Sequence, residues 1–425
     1  MGDFAPYIYR TDDYGASWTR LTDGRNGIAA DEPTRVVRED PERPGLLYAG
    51  TEFGLYVSFD RGAHWQSLQL NLPATPVTDL RLAHGDMVLS TQGRGFYVLD
   101  NLSVLRQLPG STEARTTRLY KPAVAIRVNA SGDKGSDPSE GPDYILPGAQ
   151  IDYYLAGGTA ETPVTLTITD AAGQVVRRFS STEGTSAAAS GGGGDDDGLG
   201  RYRPTYPTRL AVTPGMHRFI WDLRRDGTSD GAASSGARRG PAGPVVPPGN
   251  YTVALSAGSV ASRQALVIVE DPRILASGVT NADLVALYEH NMRVLKLVHD
   301  MNLAVSRVTQ AQTALQGTPD AAKDAALKPI AARLITPKIR YSPPALQTHV
   351  VYLYNQTNAT DQKVPPDAAA RYAELRRAID QVTADLDRVL GPVGKDELAR
   401  FERGNDGARL NVSDTTEDET EDDNS

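Results

Sequence analysis

One short pattern occurs twice near the start of the chain, and the distance between its copies limits the possible folds more than any other feature. The copies are residues 11–18 (TDDYGASW) and 58–65 (SFDRGAHW), which share the frame Ser/Thr-x-Asp-x-Gly-x-x-Trp at a spacing of 47 residues. A period of this length is typical of proteins built from repeated blades, each a small antiparallel sheet. The spacing therefore predicts a β-propeller-like stack of sheets.

Each fixed position of the repeated frame has a mechanical reason. The Asp carboxylate can accept backbone N–H groups across a tight turn, and the Gly supplies a positive φ. The Trp is large enough to fill the gap between neighbouring sheets. The frame therefore predicts a structural turn and not a catalytic centre. Its fixed residues are Thr11, Asp13, Gly15, Trp18, Ser58, Asp60, Gly62 and Trp65.

Alternation of apolar and polar residues around the two turns predicts short β-strands. The strands of one blade are expected at 34–39, 46–51, 54–59 and 65–70, and those of the next at 77–82, 86–91, 95–100 and 103–108. With half a blade upstream, residues 1–108 make about two and a half blades, whereas a closed propeller needs roughly four to eight. We therefore expect a partial propeller whose remaining blades are missing N-terminal blades or belong to another protein chain.

Residues 118–272 predict a β-sandwich of the immunoglobulin or fibronectin kind. Its strands are expected at 124–128, 151–155, 164–169, 174–179, 217–223, 251–256 and 264–269. Phe219, Trp221 and Leu223 fall on one face of their strand, so we expect them in the core. Two low-complexity inserts cannot bury enough apolar surface to offset the entropy of ordering, and we expect disordered loops there. These inserts are residues 181–200 and 226–243.

The pattern is helical in residues 278–403. Residues 280–283 (TNAD) fit a capping box at a helix start, and two long seams of coiled-coil type follow along the chain. The predicted helices are 284–315, 319–334, 343–356 and 368–389. We expect them to pack as an antiparallel hairpin or bundle. The acidic tail, residues 404–425, is expected to be disordered.

The sequence contains no cysteine, which excludes disulfides, thiolate metal sites and cysteine catalysis. Its formal net charge is −9, so we expect neither nucleic acid nor a membrane surface as a partner. No apolar run approaches the roughly 18 residues that span a bilayer, and no charged-then-apolar leader opens the sequence. The sequence as it stands therefore predicts a soluble chain without an export signal.

The repeated frame, its period and the segment STQGRGFYVLDNLSVLRQL (90–108) resemble the bacterial BNR/Asp-box propeller proteins, relatives of sortilin ectodomains that are often labelled glycosyl hydrolases. Further similar segments are 151–155, 164–179, 215–224, 246–255 and 269–273. The resemblance implies a periplasmic or secreted protein, because family members carry a signal peptide and a complete propeller. Neither is recognisable in this sequence, which also has Gln92 where the family's comparable segment reads His.

In propeller topology, the loops before the first strand of a blade and between its second and third strands lie on the ligand face. The candidate residues in such loops are Asp31, Glu32, Glu52, Gln92 and Arg94. Arg94 could grip a carboxylate or a sugar, and Glu52, in the equivalent loop of the adjacent blade, could act as acid or base. Alternatively, both are solvated or locally paired charges. Glycoside hydrolysis needs two acids about 5 to 9.5 Å apart, and the sequence does not determine that distance.

Two functions fit these observations. The first is a non-catalytic C-terminal part of an extracytoplasmic propeller protein, which binds protein or carbohydrate and gives structural support. The alternative, implied by the family label, is a fragment of a glycoside hydrolase acting on the ligand face of the complete propeller. No cofactor or metal is expected, because the six histidines are scattered and no His-Glu-x-x-His motif occurs.

Overall fold

The computed structural model describes residues 3–109, 116–129, 132–133, 145–157, 163–182, 201–202, 206–227, 243–337, 339 and 341–402. This part of the chain is mainly β-sheet with several helices toward the C-terminus, as the sequence predicts. The chain divides into two compact units. Unit 1 consists of Met1–Ala123, Asp152–Gly157 and Pro214–His217, and unit 2 of Val124–Ile151, Gly158–Thr213 and Arg218–Ser425.

The strands and helices are numbered in chain order. The strands β1 to β19 are Tyr9–Arg10, Thr19–Arg20, Thr34–Glu39, Leu47–Thr51, Leu55–Ser58, Gln66–Ser67, Val77–Ala83, Asp86–Thr91, Phe96–Leu99, Arg118–Leu119, Ala125–Arg127, Gly132–Asp133, Ala149–Leu155, Val164–Thr169, Val175–Ser180, Arg201–Tyr202, Gly215–Trp221, Gly249–Ala257 and Val260–Glu270. The helices α1 to α6 are Pro272–Ala276, Asn281–Gly317, Ala321–Leu334, Leu346–Asn358, Pro366–Leu390 and Lys395–Glu402. None of these helices is long and apolar enough to cross a lipid bilayer.

Unit 1 contains three antiparallel sheets that follow one another along the chain. β1 pairs with β2, β3 to β6 form a four-stranded sheet in chain order, and β7 to β9 form a three-stranded sheet in chain order. The last two sheets share one apolar core, which includes Tyr48, Leu80 and Met87. A second cluster joins Ile8, beside β1, to Trp65, beside β6. Consecutive sheets of unit 1 are therefore held together by apolar packing.

The strand predicted at 103–108 is wrong, because this segment contains a 3-10 helix at Leu105–Gln107. Arg106 donates to both carboxylate oxygens of Asp40 at 3.0 Å, and the Asp40 side chain is fully buried. Arg43 donates to two carbonyls of the same segment at 2.8 Å. These contacts come from residues far away in sequence, and they override the local strand pattern.

Unit 2 contains a five-stranded sheet in the order β11-β19-β18-β14-β15. β11 runs parallel to β19, and the other neighbours are antiparallel. Phe219, Trp221 and Leu223 are all buried, as the alternation predicts. Strands β10, β13 and β17 form a three-stranded sheet, β12 pairs with β16, and β13 and β17 are divided between the two units.

The start of α2 and both ends of α5 lie where their sequence signals predict. Thr280 and Asp283 form the capping box of α2, with the Asp283 N–H donating to Thr280 Oγ1 at 3.2 Å and the Thr280 N–H to Asp283 Oδ2 at 2.9 Å. α5 begins at Pro366 and ends before Gly391, whose φ is +83°. α2 packs against α3, α4 and α5 through one apolar cluster. The sequence does not predict the short helices α1 and α6.

The stretches predicted to be disordered are largely not among the residues that the structure describes. Residues 183–200 and 228–242 of the two inserts, and the whole of 404–425, lie outside the described residues.

Candidate functional site

Glu32, one of the candidate ligand-face residues, lies inside unit 1 and not at its surface. It is 5% exposed. One carboxylate oxygen accepts a hydrogen bond from Thr51 Oγ1 at 2.6 Å and the other accepts one from the Tyr56 hydroxyl at 2.7 Å. Burial, with a further contribution from the bond to Glu32, raises the pKa of Tyr56 to about 12. Glu32 therefore ties the loop before β3 to β4 and β5.

Glu52 is engaged by a neighbouring side chain, and its partner is not Arg94. The Arg35 Nε donates to Glu52 Oε2 at 2.6 Å, and both side chains are partly exposed. Arg94 is exposed and has no ion pair within the described part of the chain, and Asp31 is exposed as well. Glu32 and Glu52 therefore each have separate hydrogen-bond partners. The structure does not bring Glu52 and Arg94 together as a pair.

The first turn, residues 11–18, is closed by hydrogen bonds to one carboxylate and one hydroxyl. Asp13 Oδ1 accepts from the Ser17 N–H at 2.8 Å, and Asp13 Oδ2 accepts from Ser17 Oγ at 2.7 Å. Thr11 Oγ1 accepts from the Gly15 N–H at 2.7 Å and donates to Asp13 at 2.8 Å. The bonds from Ser17 and Thr11 lower the pKa of Asp13 to about 2.

The second turn, residues 58–65, has the same hydrogen bonds at equivalent positions. Asp60 Oδ1 accepts from the His64 N–H at 2.9 Å, Asp60 Oδ2 contacts His64 Nδ1 at 2.7 Å, and Ser58 Oγ accepts from the Gly62 N–H at 2.9 Å. Burial raises the pKa of Asp60, but the hydrogen bonds from His64 and Ser58 outweigh it and hold this pKa below its ordinary value. The two turns therefore share one local geometry.

The tryptophans of the two turns differ in their surroundings. Trp65 is 4% exposed and packs with Ile8, Ile28 and Ala49. Trp18 is 61% exposed. Trp65 therefore fills a gap between elements of unit 1, whereas Trp18 is not buried by the described residues.

Trp65 is buried because a loop from the preceding repeat covers the second turn. This cover loop is residues 21–28. Asn26 Nδ2 donates to the carbonyls of Leu21 at 2.7 Å, Ala63 at 3.1 Å and Gly62 at 3.4 Å. In return, the Trp65 N–H donates to the Asn26 carbonyl at 2.8 Å. Sequence reasoning missed Asn26, although the Asn-Gly dipeptide after the first turn is a signal that could have found it.

A small polar cleft in unit 2 is another place where charged groups meet. Arg127, at the end of β11, forms an ion pair with Asp361, just after α4, with 2.5 Å between Nη1 and Oδ1 and side-chain exposures of 3% and 4%. Arg127 Nε also donates to the Val246 carbonyl at 2.8 Å. The cleft beside this pair has room for about one water molecule. We interpret the pair as a structural contact within unit 2, because the charges neutralise each other and the space is this small.

The described residues contain no group of three or more His, Cys, Asp or Glu side chains that could hold a metal ion.

No protein-family model matches the chain, and no curated protein sequence matches it. Among solved structures, two crystal structures of the extracellular domain of BT4673 from B. thetaiotaomicron are similar to parts of it, one described as a hybrid two-component system and the other as a one-component system. Both are 10% identical to this chain, with TM-scores of 0.18 and 0.17. The matches cover 63% and 64% of this chain and 31% of each of the other chains. TM-scores this low do not indicate a shared fold.

Proposed function

We propose that this chain is a non-catalytic binding and scaffold protein in which unit 1 is a section of a BNR/Asp-box propeller. The observation that carries the proposal is the pair of turns, which have one frame and equivalent hydrogen bonds at a spacing of 47 residues, with antiparallel sheets following each of them. In this proposal the strands of residues 118–272 form a β-sandwich, and residues 278–403 form a helical domain beside it. The protein works outside the cytoplasm, as the family resemblance implies.

The ends of unit 1 support the idea that further blades complete it. β9 is the last strand of its sheet, and no strand of the described residues pairs with its outer edge. Phe96 and Val98 on this strand are 78% and 54% exposed. An open strand edge is a place where another strand pairs, and exposed apolar side chains on the face of a sheet are a place where a further sheet packs. We therefore propose additional propeller blades, from the same polypeptide or another chain, as the first partners of unit 1.

The contacts of the acidic candidates favour binding over catalysis. Glu32 is buried and has hydrogen bonds to both oxygens, and Glu52 is paired with Arg35. A glycosidase needs one carboxylic acid and one carboxylate that face the sugar, and neither glutamate is free for that role. The exposed Asp31 and Arg94 are the residues through which this face would bind a carbohydrate or a protein. The net charge of −9 disfavours nucleic acid as a ligand.

The proposal is tested by assaying the full chain on aryl glycosides and plant polysaccharides, and by calorimetric titration of the same oligosaccharides. We expect no turnover, and weak sugar binding that Arg94→Ala reduces and that Arg263→Ala, a change at an exposed arginine of unit 2, leaves unchanged. Turnover that disappears in Glu52→Gln or Asp31→Asn would contradict the proposal. It would support the alternative, a fragment of a glycoside hydrolase acting on the ligand face.

A further inference from the structure

The cover loop fits the second turn so closely that its sequence is restricted. Gly27 has a φ of +117°, and a Cβ there would lie 1.9 Å from the Trp65 carbonyl oxygen. At Gly62, a Cβ would lie 2.8 Å from Leu21 Cδ1, so the leucine sits directly against this glycine. An asparagine, the glycine after it and a leucine are therefore the parts of the loop that recognise the turn.

The first turn presents the same surface without a cover. The groups equivalent to those that bind Asn26 are the carbonyls of Gly15 and Ala16 and the N–H of Trp18. None of the three has a hydrogen-bond partner among the described residues. A Cβ built at Gly15 would meet nothing nearer than Trp18 of its own turn, at 3.7 Å. The space that Leu21 occupies against the second turn is therefore open at the first.

Exposed aromatic side chains occur in the first turn and in the residues just before it. Phe4, Tyr7, Tyr9, Tyr14 and Trp18 are all exposed. Tyr7 and Tyr9 stack with their ring centroids 6.2 Å apart, and the Arg20 guanidinium lies over the Tyr7 ring at 4.5 Å. Several large exposed aromatic side chains within one short stretch of chain are typical of an interaction site.

We infer that the first turn is a docking surface for the cover loop of a further repeat that precedes it in the same polypeptide. This inference rests on the proposed function, since it takes unit 1 to belong to a longer series of repeats. The occupant carries an Asn-Gly pair equivalent to Asn26-Gly27 and a leucine equivalent to Leu21. Its asparagine amide donates to the carbonyls of Gly15 and Ala16, and its asparagine carbonyl accepts from the Trp18 N–H.

The occupant is not supplied by the residues of this sequence. Asn-Gly occurs once in the 425 residues, at Asn26-Gly27, and this copy already covers the second turn. A second copy of the chain would have its own Asn26-Gly27 engaged in the same way. Within the chain, the covering loop and the covered turn come from consecutive repeats, and continuation of this interface places the occupant one repeat before the first turn.

The test duplicates one repeat, so that the full chain reads residues 1–57 followed by residues 11–425. The second copy of the first turn then lies one repeat after a cover loop. Trp18→Phe in the first copy leaves the second-copy Trp18 as the reporter, because Trp65 and Trp221 are 4% and 0% exposed. We expect acrylamide to quench the fluorescence of the second-copy Trp18 severalfold less than it quenches the fluorescence of Trp18 in the unaltered chain. Asn26→Ala with Gly27→Ala in the first copy only is the matched control and should restore quenching.

A second measurement uses the unaltered chain, so that the result does not depend on folding of the duplicated one. A synthetic peptide of residues 19–30 is titrated against it, beside a peptide with Asn26 and Gly27 replaced by alanine. We expect the first peptide to protect Trp18 from acrylamide and the second to leave it accessible. Equal effects of the two peptides, or a folded duplicated chain in which Trp18 stays fully accessible, would overturn the inference.

The outcomes separate this inference from the proposed function. Unprotected Trp18 together with no glycoside turnover would remove the docking surface and leave the binding role in place. Turnover of a glycoside would contradict the proposed non-catalytic role, whether or not Trp18 is protected from acrylamide. Protection of Trp18 by an oligosaccharide, with no effect of either peptide, would assign the aromatic surface to a sugar and overturn the inference.

Discussion

The first and second turns have the same hydrogen bonds and equivalent backbone conformations, yet Trp65 is buried and Trp18 is exposed. Tyr14 and Arg61 at the same position have φ values of +55° and +61°, and the glycines after them have +94° and +88°. The difference lies in the neighbour, because the cover loop lies against one turn only. The repeated frame therefore determines the turn itself, whereas burial of its tryptophan depends on the preceding repeat.

The largest expected difference between the two turns is in the response to loss of the tryptophan. Trp65→Ala should destabilise unit 1 by roughly 3 to 5 kcal/mol, as truncation of a buried Trp does, whereas Trp18→Ala should change stability by no more than about 0.5 kcal/mol. Native-state hydrogen exchange of the β4 and β5 amides measures both. Equal effects would mean that the cover loop does not stabilise the second turn.

A smaller but still large effect is expected when a methyl group is added to the cover loop. Gly27→Ala should lower the free energy of unfolding of unit 1 by roughly 2 to 4 kcal/mol. The added Cβ would overlap the Trp65 carbonyl, and the positive φ is unfavourable for alanine. Gly93→Ala is the matched control, since Gly93 also has a positive φ of +85° but nothing within 4 Å of its Cβ position. If Gly93→Ala lowered the free energy of unfolding as much as Gly27→Ala does, the close approach to Trp65 would not be the cause of the destabilisation.

Removal of the asparagine amide should have an intermediate effect. Asn26→Ala removes the hydrogen bonds that the side-chain amide donates to three carbonyls. It should lower the free energy of unfolding of unit 1 by about 1 to 2 kcal/mol. It should also make Trp65 more accessible to acrylamide while leaving Trp18 unchanged. Asn71→Ala, at an exposed position in unit 1, is the control and should alter neither. Unchanged quenching of Trp65 in Asn26→Ala would break the comparison between the covered and the uncovered turn.

The smallest effects are expected in the titration of the two aspartates. Hydrogen bonds from Ser17 hold the pKa of Asp13 near 2, so Ser17→Ala should raise this pKa toward the ordinary 3.8. Because the pKa is depressed in the folded chain, the stabilisation by Asp13 is present above about pH 4 and is lost as the pH falls toward 2. Carboxyl NMR titration follows both aspartates, with His64→Ala as the equivalent change for Asp60. If Ser17→Ala left the pKa of Asp13 near 2, the hydrogen bonds from Ser17 would not be the cause of the low pKa.

The parts of the fold that depend on local patterns could be predicted from the sequence. The turn frame indicated where the tight turns lie, alternation located β3 to β5, and the Thr280 capping box and Gly391 located the ends of two long helices. Residues 103–108 could not be predicted in this way, because their 3-10 helix depends on a buried ion pair between Arg106 and Asp40. A strand pattern contains no information on a partner that far away in sequence.

The candidate site was predicted less well than the fold. The loops of Glu32 and Glu52 were correctly located between strands, but their partners Tyr56 and Arg35 decide what the carboxylates can do. The role of Asn26 depends on carbonyls of the following repeat, so it becomes visible only when both repeats are placed together. Arg94 carries no such partner within the described residues, and its candidacy for ligand binding stays a prediction.

The Arg127–Asp361 pair has a consequence for how unit 2 melts. Removing one member of a buried ion pair leaves an uncompensated charge in the interior, which is strongly unfavourable. The pair links the edge strand β11 to the segment after α4, so it opposes separation of the sheet from the helices of unit 2. Sheet and helices of unit 2 should lose their structure cooperatively, as one calorimetric transition and not as two.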